Sequence, residues 1–131
     1  MSNAAETPHT HDPGLTRVAY FSMEIALDPA IPTYSGGLGV LAGDTLRSAA
    51  DLDIRMVGVT LVHHNGYFRQ TLDPNGTQRE EAESWHPDHQ LEAMEVRSSV
   101  TIEGRTVWLK AWRYWIQGMS AIPVPVYLLD S

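Results

Sequence analysis

Pro32 to Leu52 reads Pro-Thr-Tyr-Ser-Gly-Gly-Leu-Gly-Val-Leu-Ala-Gly-Asp-Thr-Leu-Arg-Ser-Ala-Ala-Asp-Leu, a glycine-rich turn that runs into a helix. Leu38, Leu41, Ala42, Leu46, Ala49, Ala50 and Leu52 follow the 3.6-residue period of one buried face, with Asp44, Arg47 and Asp51 mostly on the wet side. Ser35 is the expected cap, and Gly36, Gly37 and Gly39 carry no Cβ that would hold another molecule off the backbone. The first turn of a helix leaves N–H groups without intrahelical partners, and its summed peptide dipoles add about half a positive charge. No Asp or Glu stands between Asp28 and Asp44, so by composition this end is vacant for an anion. The bland alternative is a strand-to-helix corner that uses glycine only to turn tightly. The order G-G-x-G after a proline-bearing loop differs from the G-x-G-x-x-G dinucleotide fingerprint, which argues against a nicotinamide cofactor.

Working outward, 17–22 is a short apolar run of the kind that forms a buried strand, and Pro29 and Pro32 interrupt regular structure before the glycines. After the helix, 54–62 is β-branched and mostly apolar, which predicts a second strand buried on both faces. Strand, helix and strand make a βαβ unit with parallel strands and a right-handed crossover. Ligands of such sheets gather at the carboxyl ends of the strands, where Ser22, Met23 and Glu24 should meet Gly36, Gly37 and the segment from His63 to Asn65. His63 and His64 are adjacent and point to opposite faces in an extended chain, so they cannot share a metal ion. Either is a candidate for the crevice; the plainer reading is a strand-end histidine bonded to backbone.

Further along, 66–72 and 77–81 flank Asp73-Pro-Asn-Gly76, turn residues in the places a turn needs them, and predict a polar, exposed hairpin. His86 and His89 lie three apart, but Pro87 argues against a helical turn there and no third ligand stands at a fixed spacing, so no metal site is expected. Segments 95–102 and 105–114 are extended around Glu103 and Gly104, with Trp108, Trp112, Tyr114 and Trp115 as an aromatic cluster that favours packing over sugar stacking. A last strand, 122–129, ends at Asp130 with no following helix to cover it, as in a cut through a larger sheet. Residues 1–15 are polar, carry His9 and His11, and read as a disordered tail, leaving 16–131 as an incomplete lobe.

A chain of 131 residues that is 43% hydrophobic has material for one core. Its net charge of −7 and nine Lys and Arg argue against a nucleic-acid surface. No apolar run is long enough for a membrane span and no secretory signal is visible, which reads as soluble and cytoplasmic. The absence of cysteine removes disulfides, thiolate metal sites and cysteine nucleophiles.

Four segments in order, 20–24 (Tyr-Phe-Ser-Met-Glu), 32–44, 65–70 (Asn-Gly-Tyr-Phe-Arg-Gln) and 126–130 (Val-Tyr-Leu-Leu-Asp), resemble the α-glucan phosphorylases, which act on glycogen, starch or maltodextrin. The resemblance implies an α/β fold: a partial Rossmann-like lobe with a parallel βαβ core plus β-hairpins, the amino-terminal part of a two-lobed retaining glycosyltransferase. It implies pyridoxal phosphate acting through its phosphate group, with α-1,4-glucan and inorganic phosphate as partners and glucose 1-phosphate as product. Gly36, Gly37 and Leu38 match the family loop that approaches phosphate and glucose. Glu24 matches an acidic residue near the crevice, and Tyr67, Phe68 and Arg69 match a family hairpin.

The resemblance also implies that the cofactor lysine and the phosphate-gripping basic residues belong to a second lobe and are absent from this chain. Phosphorolysis needs both walls, so the chain alone is expected to be inactive, with a second lobe or a homodimer partner completing it. Two alternatives are a non-catalytic carbohydrate- or phosphate-binding module, and the amino-terminal lobe of a glycogen or starch synthase. The synthases usually carry a lysine where Ser35 stands.

Overall fold

A computed structural model describes residues 17–65 and 67–131, so the expected tail at 1–15, with His9 and His11, and residue Gly66 lie outside the described residues. In chain order the elements are β1 (Val18–Phe21), α1 (Gly37–Asp51), β2 (Met56–Leu61), β3 (Phe68–Leu72), β4 (Gln78–Ala82), a 3-10 turn (Pro87–His89), β5 (Glu92–Ile102), β6 (Arg105–Ile116) and β7 (Val124–Asp130). Five strands form one mixed sheet in the order β1-β2-β7-β6-β5, and β3-β4 form a separate ribbon. β1, β2 and β7 run parallel, whereas β6 is antiparallel to β7 and β5 to β6. The expected β-α-β order with parallel strands is therefore present, in an α/β fold.

The core lies between α1 and one face of the sheet. Ala42, Leu46, Ala49 and Ala50 meet Val124, Val126, Leu128, Trp112 and Ile116. Gly58 of β2 admits the helix, since a Cβ there would stand 2.9 Å from Leu46 Cδ1. The proline-bearing loop adds Ile25, Leu27 and Ile31, all buried. That loop is irregular yet closed on itself: Ile25 N–H donates to the Thr33 carbonyl at 3.2 Å, and Thr33 Oγ1 donates back to the Ile25 carbonyl at 2.6 Å.

Several expectations need correction. Leu38, Leu41 and Leu52 are 54%, 62% and 70% exposed, and the buried stripe runs instead through Gly39, Ala42, Gly43, Leu46, Ala49 and Ala50. At roughly 100° per residue, Leu41 and Leu52 lie well round the helix from Leu46, and among the described residues α1 is covered on one side only. β1 is an edge strand with Phe21 73% exposed, not a buried one. β2 buries Gly58 and Thr60, but Val57 and Val59 are half-buried and Leu61 is exposed, because α1 covers a single sheet face.

Of the aromatic residues of β6, Trp112 and Tyr114 share the core cluster, whereas Trp108 and Trp115 do not join them there. Strand alternation sends Trp115 to the face opposite Trp112, and Trp108 is 65% exposed. Pro87 does begin a single 3-10 turn, where its missing N–H costs nothing at the first position. Among the described residues no three His, Cys, Asp or Glu side chains come together to hold a metal. The predicted turns are present. Asp73 Oδ1 accepts from the N–H groups of Asn75 (2.9 Å) and Thr77 (3.0 Å), and Glu103 and Gly104 both take positive φ, as a two-residue hairpin turn requires.

Candidate functional site at the carboxyl edge of the parallel strands

β1, β2 and β7 are parallel, so their carboxyl ends share one edge. The exits are pinned to each other: Ser22 N–H donates to the Val59 carbonyl at 3.1 Å, and Val62 N–H to the Leu129 carbonyl at 2.8 Å. Beyond β1 the chain bends at Ser22, whose Oγ donates to the Glu24 carbonyl at 2.7 Å. It then lies along α1, with Ala26 N–H donating to the Gly39 carbonyl at 2.9 Å. This course carries Glu24 to the corner where the helix starts.

At that corner Gly36, rather than Ser35, is the N-cap, and no side chain caps the helix. Ser35 is turned to Glu24 instead: its N–H and Oγ donate to the carboxylate at 3.2 and 3.4 Å. The end is thus less vacant than composition implied. A carboxylate eleven residues back stands beside it, although no acidic residue lies in the first turn itself. Gly36 and Gly37 are exposed, and a Cβ at either would have no heavy atom within 4 Å. Leu38 is also exposed. Gly39 differs, being buried where a Cβ would overlap Tyr34, so it serves packing. The arrangement offers outward N–H groups and a positive dipole end beside a single negative group.

The two histidines diverge as their adjacency requires. His63 Nε2–H donates to the Met23 carbonyl at 3.1 Å, while its own carbonyl accepts from Trp85 Nε1 at 2.9 Å. Its ring meets Tyr67 edge-on at 5.7 Å between centroids. Burial and the charge of Glu24 push the Tyr67 phenol above its ordinary value, so Glu24, Tyr67 and His63 belong to one neighbourhood. His64 Nε2–H donates to Asp130 Oδ1 at 2.6 Å.

Asp130 is only 4% exposed, and its other oxygen accepts from Trp112 Nε1 at 2.8 Å and Lys110 Nζ at 3.1 Å. Burial alone would raise its carboxyl pKa. The bonds from Trp112, His64 and Lys110 outweigh burial and hold it below the usual carboxylate range. Sequence reading did not pick out Asp130, Lys110 or Trp112 as members of this edge. The available signal was an acid ending an apolar parallel strand.

Glu24→Gln should keep an acceptor for Ser35 while removing the charge. Inorganic phosphate should then bind about 3- to 10-fold more tightly, from the loss of one nearby repulsion in partly solvated surroundings. Isothermal titration of both chains checks this, and equal affinities would place the carboxylate away from the ligand.

The carbohydrate phosphorylase family matches residues 23–121. The chain is 40% identical over 122 residues to "Glycogen phosphorylase" of Mycobacterium tuberculosis, covering 88% of this chain and 14% of that protein. It is 33% identical over 121 residues to "Maltodextrin phosphorylase" of Thermococcus litoralis, covering 87% and 14%. With "Glycogen phosphorylase" of Aquifex aeolicus the identity is 34% over 97 residues, covering 74% and 13%. The chain thus spans about one seventh of the length of these relatives. With its match to the family over most of its length, this chain belongs to the carbohydrate phosphorylases.

Proposed function

We propose that this chain forms the amino-terminal wall of the crevice of an α-1,4-glucan phosphorylase, a cytoplasmic, two-lobed, retaining glycosyltransferase of which it is a fragment. In that role its α/β sheet is part of a Rossmann-like lobe, and the backbone of Gly36, Gly37 and Leu38 approaches phosphate and the terminal glucose. Glu24, His63 and His64 line the same edge. The supporting observation is the exposed, unobstructed Gly36-Gly37 turn, set at a helix start where the carboxyl ends of parallel strands gather.

Pyridoxal phosphate, which supplies an acid–base phosphate to such enzymes, has no anchor in this chain. Its one lysine, Lys110, already engages Asp130 and lies 4.7 Å from the Trp112 ring centre, an arrangement unsuited to a Schiff base. In the reading proposed here, the cofactor and the groups that grip the attacking phosphate belong to a second lobe, as the resemblance to the phosphorylases implies. Alone, this chain orients one side of the substrate and lacks the acid within reach of the leaving oxygen.

Two measurements test the reading. In 15N-resolved NMR, phosphate and maltoheptaose should each shift the amides of Gly36, Gly37 and Leu38; shifts elsewhere, or none, would overturn it. Glucose 1-phosphate release from maltodextrin, with pyridoxal phosphate added, should stay at the blank.

A further inference from the structure

Trp108 is 65% exposed, whereas Trp112, on the same face of β6, is buried. Lys110 lies between them on that face. The bonds of Lys110 Nζ and Trp112 Nε1 to Asp130 Oδ2, together with the packing of Trp112 in the cluster of Leu46 and Ala50, identify it as the face that α1 covers. β6 runs antiparallel to β7 with Lys110 opposite Asp130, so residues 105–109 project beyond the carboxyl ends of the parallel strands. Trp108 therefore stands on the same rim as the glycine turn, at its other end.

The rim between them is continuous. Ser35 donates to Glu24, the carbonyl of neighbouring Met23 accepts from His63, and adjacent His64 donates to Asp130, which also accepts from Lys110. From β1 to β6 the distance is three strand spacings, about 15 Å, farther than a single sugar ring reaches and within the length of a short oligosaccharide.

The side chains around Trp108 say what kind of ligand its ring suits. Ser99 of β5 is directly opposite, and the cross-strand pairs Arg97 with Lys110 and Thr101 with Thr106 flank it on the same face. The apolar residues of this ribbon, Val100, Ile102 and Val107, take the other face. The core of a protein interface is a contiguous apolar patch. Here one indole face is ringed by hydroxyl and cationic donors instead. A pyranose ring is its complement, with C–H groups for the indole and hydroxyls round the edge for the donors.

We propose that Trp108 is the outer stacking platform for the glucan and sets the chain length that this site prefers. The inference deepens the proposed function and rests on it. The end of the glucan lies at Gly36, Gly37 and Leu38, the chain crosses the rim past His63 and His64, and a later glucose lays its face on the indole.

The test titrates maltose and maltoheptaose into the 15N-labelled chain. Maltose should shift the amides of Gly36, Gly37 and Leu38, whereas maltoheptaose should shift these together with the indole N–H of Trp108. Trp108→Ala should weaken maltoheptaose binding about 5- to 10-fold, the loss expected for one aromatic contact face, and should leave maltose within about 2-fold. Trp108→Phe should recover part of the loss, and because the side chain is exposed all three chains should melt alike. If maltoheptaose shifts the glycine amides without moving the Trp108 indole, and Trp108→Ala binds it unchanged, the platform is overturned and the proposed function stands. A response at Trp108 without one at the glycine turn also overturns it, since the ring then serves a separate sugar site. Silence at both overturns the platform and the proposed function together.

Discussion

Asp130→Ala should lower the stability of the chain by about 2–3 kcal/mol, seen as a lower urea midpoint with an unchanged slope. The carboxylate is nearly inaccessible and serves three donors from two segments, Lys110 and Trp112 on β6 and His64 beyond β2. Truncation leaves the indole N–H of buried Trp112 without an acceptor and removes the carboxylate to which Lys110 and His64 donate. The Lys110 and His64 side chains are 45% and 47% exposed, so water screens their share and most of the loss falls on Trp112. Asp130→Asn, which keeps the shape, should lose less.

The acid side carries an independent signature of the same group. Because the folded pKa of Asp130 lies below its unfolded value of about 3.9, its contribution is complete above that value and disappears as pH falls through the folded pKa. The stability gap between the unsubstituted chain and Asp130→Asn should therefore be flat above about pH 5 and close below pH 4. A gap that instead widened in acid would mean that the carboxylate is not held ionised by these donors.

Gly43→Val should be at least as damaging, lowering the melting temperature by roughly 10 °C, equivalent to about 3 kcal/mol. In an exposed helix the replacement of glycine is normally favourable. Here the helix backbone lies directly on the loop, and a Cβ at Gly43 would overlap the Ala26 carbonyl and stand 2.9 Å from Arg47 Nη1. Relief requires the loop to move away, which breaks the Ala26-to-Gly39 hydrogen bond and strains the 2.6 Å bond from Arg47 Nη2 to the Leu27 carbonyl. Gly36→Ala is the matched control, because its Cβ enters open space and should change the melting temperature by less than about 2 °C. Equal effects at the two positions would refute the close contact.

These two residues mark what was legible in the sequence. Periodicity and turn chemistry gave the helix, the strands around it and the hairpin at Asp73-Gly76, all local properties of neighbouring residues. They could not report how many layers cover the sheet, so a loosely drawn 3.6-residue period put Leu38, Leu41 and Leu52 on the buried face with Leu46. Nor could they pair Glu24 with Ser35 or Asp130 with His64, contacts between residues 11 and 66 positions apart. Ile25, Leu27 and Ile31 escaped notice for a different reason: prolines break the regular period, yet the loop still folds inward. The glycine turn was found because its lack of side chains is itself written in the sequence.

His63 and His64 reach in opposite directions from neighbouring positions, one to the exit of β1 and the other to the end of β7. Two consecutive residues thereby yoke three strand ends into a single rim. Separating any one of them from the others means surrendering a bond to this pair.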